Sequence, residues 1–169
     1  MSEVLAFPGI DEPGLGVLAA ALAPVLHTGG IVFLEGELGA GKTTFARALL
    51  RALGVSERVK SPTYSLIETY QAGALRTHHL DLYRIAAPGE LEWLGLPELL
   101  DPASLLLVEW PERGAGALPA PDLLLLFRHA GPVRDVIAHY KSARGRELLG
   151  AFARFPHQSL AEPPVAADN

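Results

Sequence analysis

Eight consecutive residues carry the most specific chemistry in the chain. Gly36-Glu37-Leu38-Gly39-Ala40-Gly41-Lys42-Thr43 fits G-x-x-x-x-G-K-[ST] at every position. The short residues Gly39, Ala40 and Gly41 let successive backbone N–H groups curl around a phosphate, with Glu37 and Leu38 completing the loop. A helix starting at Lys42 adds the partial positive charge of its N-terminus. Lys42 then reaches the β- and γ-phosphates as a point charge, and Thr43 offers its hydroxyl to Mg²⁺. Thr44 either holds the α-phosphate or serves only as a good first-turn residue.

Such a loop needs a carboxylate at the end of a neighbouring strand to hold the metal or its water. The apolar run Leu105–Val108 ends in Glu109, and no aspartate closes an equivalent strand, so Glu109 is the natural candidate. Trp110 next to it either packs over the site mouth or belongs to the core. A second acid, Asp81, lies in His78-His79-Leu80-Asp81-Leu82-Tyr83-Arg84. Strand alternation puts His79, Asp81 and Tyr83 on one face and Leu80 and Leu82 on the other. His79 either holds Asp81 in place or is a satisfied surface histidine. Ser61-Pro62-Thr63-Tyr64 follows the loop's helix, where nucleotide switches place a residue that senses the γ-phosphate, although serine and proline are also ordinary loop residues.

The base is expected to be adenine, because the [N/T]-K-x-D segment of a guanine-reading switch protein is absent. MgATP hydrolysis by water is the reaction these residues suit, with Lys42, Asp81 and Glu109 as its catalytic set and the general base open between the two acids. The sequence assigns no arginine finger; Arg84 is a candidate in cis and a partner residue the alternative in trans. A small-molecule kinase is the rival enzyme class, and a non-catalytic ATP-sensing interaction module is the rival of a different kind. A kinase needs an acceptor pocket and a basic lid; Arg144 and Arg146 sit in a helix that reads better as a closing structural element.

The elements that must position these groups follow from local pattern. Leu15, Leu18, Ala19, Leu22, Val25 and Leu26 recur at helical spacing across residues 12–28, with Asp11 at the start and Gly29-Gly30 at the end. Ile31–Leu34 is an apolar strand leading into the loop, and Lys42–Leu53 a helix leaving it. Residues 63–70 and 75–83 read as an extended hairpin and 89–100 as short helices interrupted by Pro97. Leu123–Arg128 and Val133–Tyr140 read as a second hairpin, and 145–155 as a last helix. A strand–loop–helix unit followed by a buried apolar strand implies an α/β fold of the P-loop NTPase type. It has three layers, with a mostly parallel central sheet, antiparallel hairpin additions and helices on both faces. Residues 1–155 form one domain, and 156–169 a flexible Pro-rich tail.

Composition narrows the function further. The 169 residues contain no cysteine, which removes disulfides, thiolate metal sites and cysteine nucleophiles. The net charge of −5 argues against a free-standing nucleic-acid binder. Basic residues concentrate in 42–60 and 128–154, so RNA contact within an assembly stays open. The longest apolar runs are too short to span a bilayer, and no basic n-region precedes an apolar stretch, which points to a cytoplasmic protein with no membrane contact.

Joined in order, the motifs resemble those of the bacterial TsaE (YjeE) ATPases of tRNA threonylcarbamoyladenosine synthesis. The matching pieces are Leu34–Phe45, Ser61–Tyr64, His79–Arg84 and Val108–Arg113. The resemblance implies weak ATPase activity raised by the partner proteins TsaB and TsaD, which carry the transfer chemistry. It implies Mg²⁺ at Thr43 and Glu109, a role in turnover for Asp81, a switch at Ser61, Pro62 and Thr63, and Trp110 close to the site. Two departures stand out: Glu37 where the family often has aspartate, and Pro13 where it often has a threonine able to approach the base.

Overall fold

The computed structural model describes residues 4–156 and 158–160. Its chain order is β1 (Val4–Ile10), α1 (Glu12–Leu26), β2 (Gly30–Gly36), α2 (Lys42–Ala52), β3 (Ile67–Ala72), β4 (Leu75–Asp81), a 3-10 helix Pro88–Leu94, α3 (Leu96–Leu99) and β5 (Leu105–Glu109). There follow a 3-10 turn Pro111–Gly114, β6 (Leu123–Ala130), β7 (Val133–Tyr140), α4 (Ala143–Gly150) and β8 (Gln158–Leu160). The strands form one sheet in the order β3-β4-β5-β2-β6-β7-β1-β8. The four middle strands, β4, β5, β2 and β6, run parallel, and antiparallel strands extend the sheet on both sides.

Alternation along the strands builds two cores. Val32, Leu34, Leu105, Leu107, Leu125 and Phe127 face α1, α2 and α4, meeting Leu15, Leu22, Phe45, Leu49 and Leu148. The opposite side chains, Phe33, Leu80, Leu82, Leu106 and Val108, are covered by Leu91 of the 3-10 helix and Leu96 of α3. Every residue of β5 is buried, as expected for a parallel strand covered on both faces. β2 has β5 on one side and β6 on the other, so the strand order switches direction at β2. The crevice beyond the carboxyl ends of these strands is therefore where an α/β sheet holds a ligand.

Several boundaries differ from the sequence reading. The hairpin's first strand starts at Ile67, not residue 63, because Pro62–Leu66 closes a turn in which Leu66 N donates to Pro62 O and Leu66 adopts φ 65°. The last helix runs from Ala143 to Gly150, started by Ser142 accepting from Gly145 N, and residues 151–155 leave it as turns. Sequence pattern misses β1, whose short apolar run is cut by Pro8 and Gly9; pairing with β7 makes it a strand. The segment read as a tail contributes β8, where Val4 pairs with Leu160 and Ala6 with Gln158. Residues 161–169 lie outside the described residues.

Candidate nucleotide site

The loop between β2 and α2 has a backbone that only glycine permits at two points. Gly36 sits at φ 148°, where a Cβ would lie 2.4 Å from the Phe127 carbonyl oxygen. Gly41 caps α2 at φ 110°, where a Cβ would meet Leu15 Cδ1 at 2.9 Å. No side chain caps α2, so its first N–H groups face the cleft free for an anion. Lys42 is buried, and its Nζ donates to Gly36 O at 2.6 Å and Glu37 O at 2.7 Å while lying 4.3 Å from the centre of the Trp110 ring. Burial lowers its pKa, opposed by the charges of Glu109, Glu112, Asp81 and Glu37.

Asp81 and Glu109 are register partners at the carboxyl ends of β4 and β5. Glu109 is 1% exposed. Its Oε2 accepts from Thr43 Oγ1 at 2.8 Å, and its Oε1 accepts from Nε2 of the fully buried His79 at 2.8 Å. His79 therefore supports Glu109, whereas the alternation alone had offered Asp81 as its partner. Asp81 is 5% exposed. Its Oδ1 accepts from Tyr83 N at 3.0 Å and its Oδ2 from Thr63 Oγ1 at 3.4 Å. Burial raises the Asp81 pKa, and the neighbouring Glu109 charge adds to the rise.

Thr63 is tied to Ser61 by a 2.6 Å hydroxyl–hydroxyl bond, so Ser61 reaches Asp81 only through it. Pro62 is buried beneath the turn. Trp110 takes a left-handed backbone, φ 57°, which turns its ring toward Lys42 and against Tyr83, 5.0 Å between centres. Arg84 lies over the exposed Tyr64 ring.

These groups surround a cleft of about 410 Å³. Leu38, Gly39, Gly41, Lys42, Thr43 and Thr44 form its loop side. Thr63, Asp81, Tyr83, Arg84, Glu109 and Trp110 form the rest of the predicted lining. Ala40 is buried behind the loop, Glu37 points away toward His129, and His79 stands behind Glu109. Sequence reading missed Glu12 and Arg134, which also line the cleft. Only the pairing of β7 with β6 and β1 brings Arg134 there. Arg144 is no lid: its guanidinium donates to Val25 O, Gly29 O and Thr28 Oγ1 at the end of α1.

N–H donors and a lysine on the loop, opposed by carboxylates at the ends of the adjacent strands, put the molecule among the P-loop nucleotide-binding proteins. The family model described as Threonylcarbamoyl adenosine biosynthesis protein TsaE matches residues 11–136. The Haemophilus influenzae tRNA threonylcarbamoyladenosine biosynthesis protein TsaE is 39% identical over 123 residues, 73% of this chain and 78% of that protein. The Bacillus subtilis protein of the same name is 38% identical over 121 residues, covering 72% and 73%. The crystal structure of Bacillus subtilis YdiB superposes with a TM-score of 0.76 at 28% identity, covering 91% of this chain and 97% of that one. The chain belongs to the TsaE family of P-loop ATPases. No helix among the described residues is long and apolar enough to cross a membrane.

Proposed function

We propose that this chain hydrolyses MgATP in support of TsaB and TsaD during threonylcarbamoyladenosine formation in tRNA. The observation that carries this reading is the cluster of buried Lys42, Glu109 and Asp81 with half-buried Thr43 around one phosphate-binding loop. The donor set fits Mg²⁺: a threonine hydroxyl and a buried carboxylate are hard oxygen ligands, and they already touch. Thr43 and Glu109 would hold the ion, which when bound neutralises charge on the β- and γ-oxygens. Lys42 leaves its two carbonyls for the phosphates.

Asp81 suits the water side of the reaction. Burial raises its pKa, which favours proton acceptance, and Thr43 and the cation would engage the other acid, Glu109. Water adds to the γ-phosphorus, the bond to the β,γ-bridging oxygen breaks, and ADP, phosphate and a proton leave. Thr63, held by Ser61 and reaching Asp81, suits a switch that reports γ-phosphate occupancy to a docked partner. With a net charge of −5, RNA contact is proposed only within the assembly.

The test is phosphate release from ATP by the chain alone and with TsaB, TsaD and tRNA. Slow turnover alone, accelerated by the partners, is expected. Lys42→Ala should lower ATP affinity about a hundredfold, the loss of charge-assisted bonds to two phosphates. Normal hydrolysis by that variant, or transfer to a small-molecule acceptor in preference to water, would overturn the assignment.

A further inference from the structure

We propose that Arg134 is a nucleotide-contacting residue that grips the part ADP and ATP share, the α-phosphate and nucleoside end, from the β6–β7 side of the loop. This rests on the nucleotide-site reading above and adds a residue to it.

The argument starts from strand order. Asp81 and Glu109 come from β4 and β5, on one side of the loop-bearing strand β2, and Arg134 comes from β7, on the other. It faces the helical side of the sheet, as Val136 and Ala138 on the same strand do. Its Nε donates to Ala40 O at 3.3 Å, which pins the guanidinium to the outer limb of the phosphate loop. It lies so close to Gly41 that a Cβ there would come within 3.3 Å of Nε and 3.8 Å of Cζ. The glycine thus admits the arginine as well as the helix cap.

What remains of the side chain points to an anion. Arg134 is half-buried and lines the cleft with Lys42, Thr43 and Thr44. Among the described residues no carboxylate lies within 4.0 Å of it, and its two terminal NH₂ groups have no hydrogen-bond partner. A half-buried guanidinium normally pairs with an acid. This one is tethered by its inner nitrogen, so its outer fork is preorganised toward the cleft. Glu109, the acid that would hold the metal and with it the β- and γ-oxygens, stands with Asp81 on the far side of β2. The near side is left to the α-phosphate and nucleoside.

The experiment is equilibrium binding of ADP and of a non-hydrolysable ATP analogue, with steady-state ATPase kinetics, for the wild type, Arg134→Ala, Arg134→Lys and Arg134→Gln. Arg134→Ala should weaken both nucleotides by the same factor, about tenfold. It should raise KM equally and leave kcat within about twofold. Lys should recover more affinity than Gln, because Gln can replace only the bond to Ala40 O. The unliganded melting temperature should stay close to the wild-type value. Loss of kcat with ADP affinity unchanged would move Arg134 to the γ-phosphate and overturn the proposal. So would unchanged affinity for both nucleotides, or rescue by Gln alone. If the wild type bound neither nucleotide, the site reading itself would fail, an outcome distinct from failure of the arginine's role.

Discussion

The sheet has a cleft at each end of its parallel strands, and the two answer their charges in opposite ways. The amino-end cleft, about 590 Å³, is larger than the nucleotide cleft and is lined by Gly29, Gly30, Asp122 and Arg144 among others. Its charges are met by the chain itself. Arg144 satisfies the carbonyls left open where α1 ends and pairs with Glu147 at 2.8 Å. Asp122 accepts from Ile31 N at 2.8 Å and from Ser142 Oγ at 2.6 Å, joining β2 to the start of α4. The nucleotide cleft at the carboxyl end is smaller, about 410 Å³, yet its charges are poorly matched. Burial works against the charged forms of Lys42 and Asp81, and His79 Nδ1 is buried without a partner. Cavity size does not distinguish a binding site from a structural joint here; the incompletely answered charges do.

The largest effect that sharpens this contrast comes from the amino end. Arg144→Ala strips donors from Val25 O and Gly29 O and leaves Glu147 unpaired. It should cost about 2 kcal/mol of stability and lower the melting temperature by about 6 °C. Nucleotide affinity measured well below the new midpoint should stay within about twofold of wild type. If affinity collapsed while the fold survived, the two ends would be coupled and the division of labour would be wrong.

His79 tests the other end, with a smaller effect. It holds one Glu109 oxygen while Thr43 holds the other, so it fixes which edge of the carboxylate faces the loop. Replacing a group behind a metal ligand typically costs about tenfold or more in metal affinity. His79→Leu should therefore raise the Mg²⁺ concentration needed for ATP binding by about tenfold, with metal-free ATP affinity unchanged. His79→Gln, which keeps a donor of similar reach, should recover part of the loss. A Mg²⁺ response identical to wild type in the Leu variant would show that Glu109 needs no such support.

The chemistry of the site was more legible in sequence than its assembly. The loop is contiguous, so its residues announce themselves, and the alternation around Asp81 sorted Leu80 and Leu82 into the core correctly. Glu109 stood out because an apolar run ending in an acid is informative by itself. What failed was whatever depends on distant pairing. His79 meets Glu109 across 30 residues of sequence, and Arg134 meets Ala40 across 94. Neither contact leaves a local spacing signal. The left-handed Leu66 misled the strand boundary for a related reason, because Thr63 and Tyr64 look extended and only the hydrogen bond from Leu66 N to Pro62 O folds them into a turn.

Asp81 gives the subtlest test, because the contrast requires a substitution at the carboxyl end to stabilise the free protein. Its folded-state pKa is raised, chiefly by desolvation, so the ionised carboxylate is a net cost to the fold at neutral pH. Asp81→Asn removes that charge, keeps an oxygen to accept from Tyr83 N, and can donate to the Thr63 hydroxyl. The variant should be about 1 kcal/mol more stable than wild type at pH 7.5 by urea denaturation. The sign fixes the pH course. As pH falls through the raised folded-state pKa, the wild type takes up a proton in the folded state before the unfolded chain does, and regains stability. The gap should therefore narrow from neutral pH toward the unfolded-state value of about 3.9. A gap that is negative at pH 7.5, or that widens on acidification, would make Asp81 a stabilising group like Asp122, and the two ends of the sheet would no longer differ in kind.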